Sequence, residues 1–191
     1  MPAGYTELTS HPVFIDHTIE SAPPASRRHM AATRQHLGYL PAATARWAAS
    51  PHLLAGFGTL TSLFESSTLD PVAREVVIMT IATRNGCHLC VAMHTAKLAV
   101  LQSGEALIAA LRDGPDEPLA DPRLEAVRVF TLQVLHTAGG VADDDLQALL
   151  ARGYTAQNAL EVVLGIAAFT LSTLANRLTG APVDEQLRQF A

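Results

Sequence analysis

Residues 75–94, EVVIMTIATRNGCHLCVAMH, decide both the fold and the chemistry of this chain. They contain its two cysteines, Cys87 and Cys90, with two residues between them, and His94 follows Cys90 by four residues. Glu75 precedes Cys87 by twelve residues. Apolar residues flank an Asn-Gly pair just before the first cysteine, and that pair is typical of a turn. The stretch therefore predicts two packed helices that carry two thiols, an imidazole and a carboxylate.

These four side chains suit thiol chemistry, in which the thiolate is the attacking species. Cys87 is predicted in the first turn of a helix, where unpaired N–H groups favour an anion. His94 lies one turn beyond Cys90 on the same face and can exchange a proton with it. Glu75 reaches that face if the two helices pack antiparallel, and it would then stabilise the imidazolium of His94. Cys90, Cys87, His94 and Glu75 are therefore the candidate catalytic residues.

The CxxC spacing allows a disulfide only where the helix is distorted. On a regular helix, Cβ atoms three residues apart are about 5–6 Å from each other, whereas a disulfide needs about 3.5–4.5 Å. The break at Asn85 and Gly86 is predicted to give Cys87 the freedom to approach Cys90.

The segment resembles the redox branch of the AhpD-like, carboxymuconolactone decarboxylase superfamily, which carries Glu, CxxC and His at these separations. Residues 36–57, HLGYLPAATARWAASPHLLAGF, and 175–184, ANRLTGAPVD, more loosely resemble its peroxidase-related subgroup. The resemblance implies an all-helical fold, obligate oligomers, and dithiol peroxidase or disulfide reductase activity in antioxidant defence. It gives the attacking role to Cys90, the resolving role to Cys87 and the proton relay to Glu75 and His94. It also implies a thiol or lipoyl-type reductant, and we expect no cofactor.

One position departs from the family pattern. The best-known member has a further relay histidine directly before the second cysteine, and many relatives have tyrosine there, whereas this chain has Leu89. His88 stands one place earlier, so it points about 100° away on a helix. We therefore assign His88 no catalytic role, and the choice between a peroxide and a disulfide as substrate stays open.

Start signals such as Ser-Pro and Asp-Pro, and glycine stop signals, divide the chain into helices. No stretch sustains the period-two alternation of a strand, so we predict an all-α fold. Residues 1–22 are predicted to form an N-terminal arm and residues 23–191 a single helical domain. A weak likeness between residues 60–70 and 132–143 suggests two similar helical halves. The predicted helices cover residues 25–37, 41–49, 51–66, 71–83, 87–102, 105–111, 122–138, 143–152 and 156–178.

The composition constrains partners and location. Only 16% of the 191 residues are charged, and the mean hydropathy is +0.21. We therefore predict that apolar surface is buried between subunits of a homo-oligomer, which could be a dimer, trimer or hexamer. A large helical core within one chain is the alternative explanation. The net charge of −5 predicts neither nucleic acid nor membrane as partner. The N-terminus does not resemble a secretory signal, so we expect a cytoplasmic protein. The apolar run at 162–175 is interpreted as a buried helix, too short for a bilayer.

Other interpretations of the motif remain open. CxxCxxxH offers three zinc ligands, to which His88 or Glu75 would add a fourth. The cysteines would also suit a redox sensor, or they could be two buried structural thiols. Glu75 could instead form an ion pair with Arg74 or Arg84. A decarboxylase or lactone-type isomerase without thiol chemistry is a further alternative, although family members of that kind generally lack CxxC. Asn176 and Arg177 are expected to cap a helix end or to contact another subunit.

Overall fold

A computed structural model describes residues 11–113 and 118–191. The described residues form α-helices and a short 3₁₀ helix and contain no strand, so the predicted all-α class is confirmed. Every predicted helix is present, with ends that differ by a few residues; only the 3₁₀ helix was not predicted. The helices are α1 (Pro24–Leu37), α2 (Ala42–Trp47), α3 (Pro51–Glu65), α4 (Pro71–Arg84), α5 (His88–Val100), α6 (Glu105–Asp113), α7 (Pro122–Thr137), α8 (Asp143–Leu150), α9 (Ala156–Thr179) and the 3₁₀ helix Glu185–Phe190.

Side-chain caps explain where the helices around the site begin. The Ser50 hydroxyl accepts from the Leu53 N–H at 3.2 Å, and the Asp70 carboxylate accepts from the Ala73 N–H at 2.9 Å. A proline follows each cap at the first helical position, where its missing N–H costs no hydrogen bond. The starts of α3 and α4 are thus determined locally by sequence.

Helix α4 is the centre of the fold. Its residues from Glu75 to Ala82 are all buried, and it packs against α5, α6, α7 and α9. Helix α9 packs in turn against α3 and α4. The end of α4, the start of α5 and the last turns of α9 therefore meet in the interior.

The cysteines lie inside one of two hydrophobic clusters. The larger cluster surrounds α4 and includes Phe64, Ile78 and Phe169. The second is built from α1, α2, α5, the end of α9 and the C-terminal tail, and it includes Trp47, Cys87 and Cys90. The thiols are therefore surrounded mainly by apolar side chains, and their access to water is restricted.

Helix α9 is longer than its apolar run indicated. It has 24 residues, and by length and composition it could span a bilayer, with a mean hydropathy of 1.6 over its most apolar window. The length argument made from sequence was therefore wrong. Half of that window is nevertheless buried within the chain, and the buried face includes Ser172, Thr173 and Asn176. Buried polar side chains of this kind are typical of a helix that packs within a protein core. The absence of a membrane partner stays a prediction.

The described part of the predicted arm is irregular and lies against α2. The His17 N–H donates to the Ala45 carbonyl at 3.3 Å, and Arg46 binds Asp16 at 2.8 Å. Residues 1–10 of the arm and 114–117 of the predicted loop lie outside the described residues. The two segments that suggested similar halves end α3 and α7, but the following helices differ, with 14 residues in α4 and 8 in α8. Similar halves and a single domain over 23–191 stay predictions.

Candidate active site

The two sulfur atoms lie 3.1 Å apart as free thiols at the start of α5. Cys87 is the N-cap residue, with extended backbone angles of φ −96° and ψ 91°, and Cys90 lies in the first turn. Because Cys87 is not helical, its side chain turns towards Cys90 as the Asn-Gly break predicted. Both residues are buried, with 2% and 3% of their surface exposed.

Gly86 makes this turn possible. Its φ of +61° lies in the left-handed region, which favours glycine. Arg177 of α9 also donates to the Gly86 carbonyl at 2.7 Å, and a Cβ at this position would stand 2.7 Å from the same guanidinium nitrogen. Glycine therefore allows both the turn and the approach of a cation to the site.

A buried acid–base pair joins α4 to α5. The His94 Nδ1–H donates to Glu75 Oε2 at 2.6 Å, and the two side chains are 7% and 4% exposed. Lys97 lies one turn further along α5, with its Nζ 3.4 Å from Glu75 Oε1. Arg74, the alternative partner of Glu75, instead donates to the Leu69 carbonyl. The carboxylate thus binds both an imidazole and an ammonium group of α5.

The charge on Glu75 is maintained by these neighbours. Burial alone would raise the pKa of this carboxyl, but the charge and hydrogen bond of His94 outweigh it, and Lys97 adds to the effect. The pKa of Glu75 therefore lies below its usual value, and the group is ionised at neutral pH. The ionised carboxylate accepts the Nδ1–H of His94 and fixes the orientation of its ring.

His94 and Cys90 are neighbours on one helix face, four residues apart. The hydrogen bond of His94 goes to Glu75, and no hydrogen bond joins its ring to either sulfur within residues 11–113 and 118–191. A proton passed between His94 and Cys90 therefore requires a water molecule or a side-chain rotation.

Helix α9 supplies sulfur contacts that sequence reasoning missed. Asn176 Nδ2 lies 3.3 Å from Cys90 Sγ and 3.8 Å from Cys87 Sγ, and Ser172 Oγ lies 3.6 Å from Cys90 Sγ. The expected capping role applies to the main chain, since the carbonyls of Asn176 and Arg177 accept the Gly180 N–H. The side chains of both residues instead face the CxxC turn. A buried asparagine in an apolar helix was the only sequence signal for this contact.

The environment separates the two thiols electrostatically. The hydrogen bond with Cys90 lowers the pKa of Cys87 to about 7, and Asn176 and the charge of Arg177 act in the same direction. The hydrogen bond with Cys87, together with burial, raises the pKa of Cys90 above its usual value. The pair therefore favours a thiolate on Cys87 and a thiol on Cys90.

The alternative zinc site requires ligands that the fold does not bring together. His88 is exposed, and Glu75 is occupied by His94 and Lys97. Across residues 11–113 and 118–191, no three side chains among His, Cys, Asp and Glu are grouped as metal ligands.

With the geometry established, residues 51–131 match the sequence profile of the carboxymuconolactone decarboxylase family. This central part of the chain therefore has the sequence pattern of that family. The matched residues contain α3, α4 and α5, and therefore all four candidate catalytic residues. No curated protein matches the chain significantly.

Solved structures share the fold over most of the chain. The alkylhydroperoxidase AhpD core of an uncharacterized peroxidase-related protein from Ralstonia eutropha JMP134 has a TM-score of 0.79 at 21% identity, covering 93% of this chain and 96% of that one. An uncharacterized peroxidase-related protein from Silicibacter sp. TM1040 has a TM-score of 0.77 at 18% identity, covering 98% and 100%. The fold is therefore AhpD-like, as predicted.

The same fold also occurs in an enzyme of different chemistry. The debrominase Bmp8, solved as its C82A variant with 2,3,4-tribromopyrrole, has a TM-score of 0.72 at 16% identity, covering 94% of this chain and 96% of its own. The shared fold therefore does not determine the reaction, which depends on the side chains of the site.

Proposed function

We propose that this protein is a dithiol oxidoreductase of the alkylhydroperoxidase type, which reduces a peroxide or a disulfide. One observation carries the proposal: two thiols with sulfur atoms 3.1 Å apart lie beside a buried His94–Glu75 pair joined at 2.6 Å. The sulfurs can store two electrons and release them by forming a disulfide. The acid–base pair can supply and accept the protons that this reaction moves.

In the first step, the Cys87 thiolate attacks the terminal oxygen of a hydroperoxide. A sulfur–oxygen bond forms and the oxygen–oxygen bond breaks, which leaves a sulfenic acid on Cys87. The electron pair departs on the alkoxide, which takes a proton from the imidazolium of His94. The peroxide is thereby reduced to an alcohol, and His94 is left as a neutral base.

In the second step, Cys90 resolves the sulfenic acid. Its raised pKa means that Cys90 needs a base, and neutral His94 accepts its proton. The new thiolate attacks Cys87 Sγ, forms the disulfide and expels hydroxide, which takes the proton from His94 and leaves as water. A disulfide substrate follows the same route with a thiol as the leaving group. An external thiol or lipoyl-type dithiol then reduces the Cys87–Cys90 bridge by exchange.

This assignment reverses the cysteine roles that the family resemblance implies. Two features support Cys87 as the attacking residue: its position at the N-cap of α5 and its pKa of about 7. Low-pKa cysteines at helix N-termini are the reactive members of many CxxC pairs. The sequence argument from the helix start favoured the same residue.

The test is turnover together with mapping of the cysteines. Reduced protein given one equivalent of hydrogen peroxide should lose both free thiols and contain a Cys87–Cys90 bridge in its peptide map. Steady turnover of an alkyl hydroperoxide or a small disulfide with dihydrolipoamide should then disappear in Cys87→Ser and Cys90→Ser. Full turnover in either variant would refute the proposal, and so would unbridged thiols after peroxide treatment.

Reductive dehalogenation is the second candidate, because Bmp8 is a debrominase with this fold. A row of aromatic side chains beside the site would suit a planar aromatic substrate. Trp47 contacts Phe57, Phe57 contacts Phe169, and Phe169 contacts His94, all edge to face. The dithiol supplies the two electrons that replace bromide by hydrogen, with the Cys90 proton transferred to the ring carbon. Release of bromide from 2,3,4-tribromopyrrole by reduced protein, in the absence of peroxide turnover, would select this function.

We further propose that the chain acts as a homo-oligomer in the cytoplasm. The outer face of α9 supports the first point, because Leu160, Leu174 and Leu178 are 72%, 57% and 59% exposed. Leucines exposed to this extent along one helix face are typical of a surface covered by another chain. The cytoplasmic location rests on the sequence alone.

A further inference from the structure

Asn176, on α9, contacts both candidate reacting sulfur atoms from outside their own helix. It is 4% exposed, and its Nδ2 lies 3.3 Å from Cys90 Sγ and 3.8 Å from Cys87 Sγ. Its Oδ1 is also buried and has no hydrogen-bond partner among residues 11–113 and 118–191. The donor end of the amide thus faces the dithiol, and the acceptor end is buried without a partner in the described part of the chain.

This arrangement is unfavourable for a purely structural asparagine. Buried polar groups are nearly always paired, and a thiol is a weak acceptor for an amide N–H. An apolar side chain at this position would leave no orphan oxygen. The amide therefore gains its full set of partners only when the sulfur atoms carry charge or oxygen.

We propose that Asn176 is a catalytic residue that stabilises successive states of the dithiol, an inference that rests on the proposed function. Its Nδ2–H groups donate to the thiolate of Cys87 before attack and to that of Cys90 before resolution. Its Oδ1 accepts the O–H of the sulfenic acid formed between these steps. The amide is neutral, so it assists whichever sulfur is charged without fixing the charge on either one.

The neighbouring polar side chains of α9 do not form hydrogen bonds with both sulfur atoms in the described structure. Ser172 contacts Cys90 alone, at 3.6 Å. Arg177 is committed to the Gly86 carbonyl and acts on Cys87 through its charge. Of these three α9 side chains, Asn176 is the one that contacts both sulfur atoms. Its loss should therefore affect both the attack and the resolution step.

The first experiment measures the rate at which reduced protein reacts with iodoacetamide between pH 5 and 9. In Asn176→Ala, the apparent pKa of the reactive thiol should rise by about one unit, because a hydrogen bond to a charged group is of that strength. Alkylation at pH 6 should therefore slow about tenfold. Asn176→Asp keeps the shape but adds negative charge, so its shift should be larger still.

Asn85→Ala is the matched control. Asn85 Nδ2 donates to Thr173 Oγ1 at 2.8 Å, so this substitution also removes an amide that ties the α4–α5 turn to α9. Asn85 does not contact the sulfurs, and its variant should retain the wild-type alkylation profile. If Asn85→Ala shifts the profile as much as Asn176→Ala does, the effect is one of packing and the proposal is wrong.

The second experiment tests the acceptor role of Oδ1. In a Cys90→Ser background the sulfenic acid on Cys87 cannot be resolved, and its lifetime can be followed by dimedone trapping. Adding Asn176→Ala should shorten that lifetime several-fold in excess peroxide, since the sulfenic acid loses a hydrogen-bond partner and a second peroxide oxidises its sulfur to a sulfinic acid. An unchanged lifetime would remove the acceptor role.

The outcomes separate this inference from the proposed function. If the Asn176 variants titrate like wild type while wild type turns over peroxide or disulfide, Asn176 is not catalytic and the function stands. If wild type turns over neither substrate but Asn176→Ala still shifts the thiol pKa, the function fails and the thiolate contact is real. Far-UV circular dichroism and melting curves verify that the variants are folded, and the isosteric Asn176→Asp serves if the alanine variant is not.

Discussion

Lys97 and Glu75 form an ion pair that crosses the wall of the candidate site. The Lys97 side chain is 47% exposed, whereas the Glu75 carboxylate 3.4 Å away is 4% exposed and also binds His94. Glu75 therefore connects the buried imidazole to a cation at the surface. The charge of the buried carboxylate is therefore shared between His94 and Lys97.

Replacing Lys97 by methionine should shift the acid side of the activity profile. Lys97 helps to lower the pKa of Glu75, so Lys97→Met should raise that pKa and move the acidic loss of activity to higher pH. The pKa difference between wild type and Lys97→Met should be a fraction of a unit. It should be smaller at high salt, because Lys97 is half exposed and its charge is screened. Glu65→Gln is the control, since Glu65 binds Lys97 at 3.2 Å without touching Glu75. Equal shifts in both variants would contradict the role of Lys97.

Glu75→Gln should lower stability in a pH-dependent way. The folded pKa of Glu75 lies below its unfolded value, so the carboxylate stabilises the fold fully above the unfolded pKa and loses this effect as the pH falls through the folded pKa. Urea unfolding at pH 7 should show a loss of about 1–3 kcal/mol, the cost of weakening a charged hydrogen bond. The difference from wild type should narrow as the pH falls below about 4.5, the ordinary value for this group. A constant difference down to pH 3 would mean that the carboxylate charge is not what stabilises the fold.

The order in which the cysteines react can be measured directly. Because the pKa of Cys87 is about 7 and that of Cys90 is raised, substoichiometric iodoacetamide at pH 7 should modify Cys87 first. Cys90→Ser should still give a stoichiometric burst of peroxide consumption, whereas Cys87→Ser should give none. Preferential modification of Cys90, with a burst that survives in Cys87→Ser, would instead support the roles that the family resemblance implies.

The local sequence predicted the helices and the CxxC turn well because their signals are local. Proline after Ser50 or Asp70, and glycine before Cys87, determine backbone geometry within a few residues of themselves. The pairing of Glu75 with His94 followed from the turn between α4 and α5, which brings adjacent helices together. These parts of the site required no information from distant segments.

The α9 side of the site was not predictable in the same way. Asn176 follows Cys90 by 86 residues, and its contact depends on how α9 packs against α3 and α4. An asparagine near a helix end is commonly explained by capping. The contact of Asn176 with the sulfur atoms was therefore not expected from the sequence. The bounds of α9, in contrast, were predicted to within one residue, because Thr155 and Gly180 mark its ends locally.

Gly86→Ala should affect both stability and thiol reactivity. A residue with a side chain at φ +61° is strained, and its Cβ would stand 2.7 Å from the Arg177 guanidinium. We expect a loss of about 1–3 kcal/mol in unfolding free energy and a rise in the pKa of Cys87 as Arg177 is displaced. Gly56→Ala is the control, because no atom lies within 4 Å of the added Cβ and α3 is helical there. Should thiol reactivity stay unchanged in a destabilised Gly86→Ala, Arg177 would have no electrostatic role.

The outer face of α9 should hold the oligomer together. Leu160, Val163, Leu174 and Leu178 recur at helical spacing and are each at least 46% exposed in the isolated chain. The opposite face of the same helix carries Asn176, so association would also fix the position of the sulfur contacts. Leu174→Glu combined with Leu178→Glu should convert an oligomer into monomers in analytical ultracentrifugation, because burying two carboxylates in an apolar interface is strongly unfavourable. Val100→Glu, at an 82% exposed position of α5, is the control with the same change in polarity. An oligomer that survives the α9 substitutions but is lost with Val100→Glu would place the interface on α5.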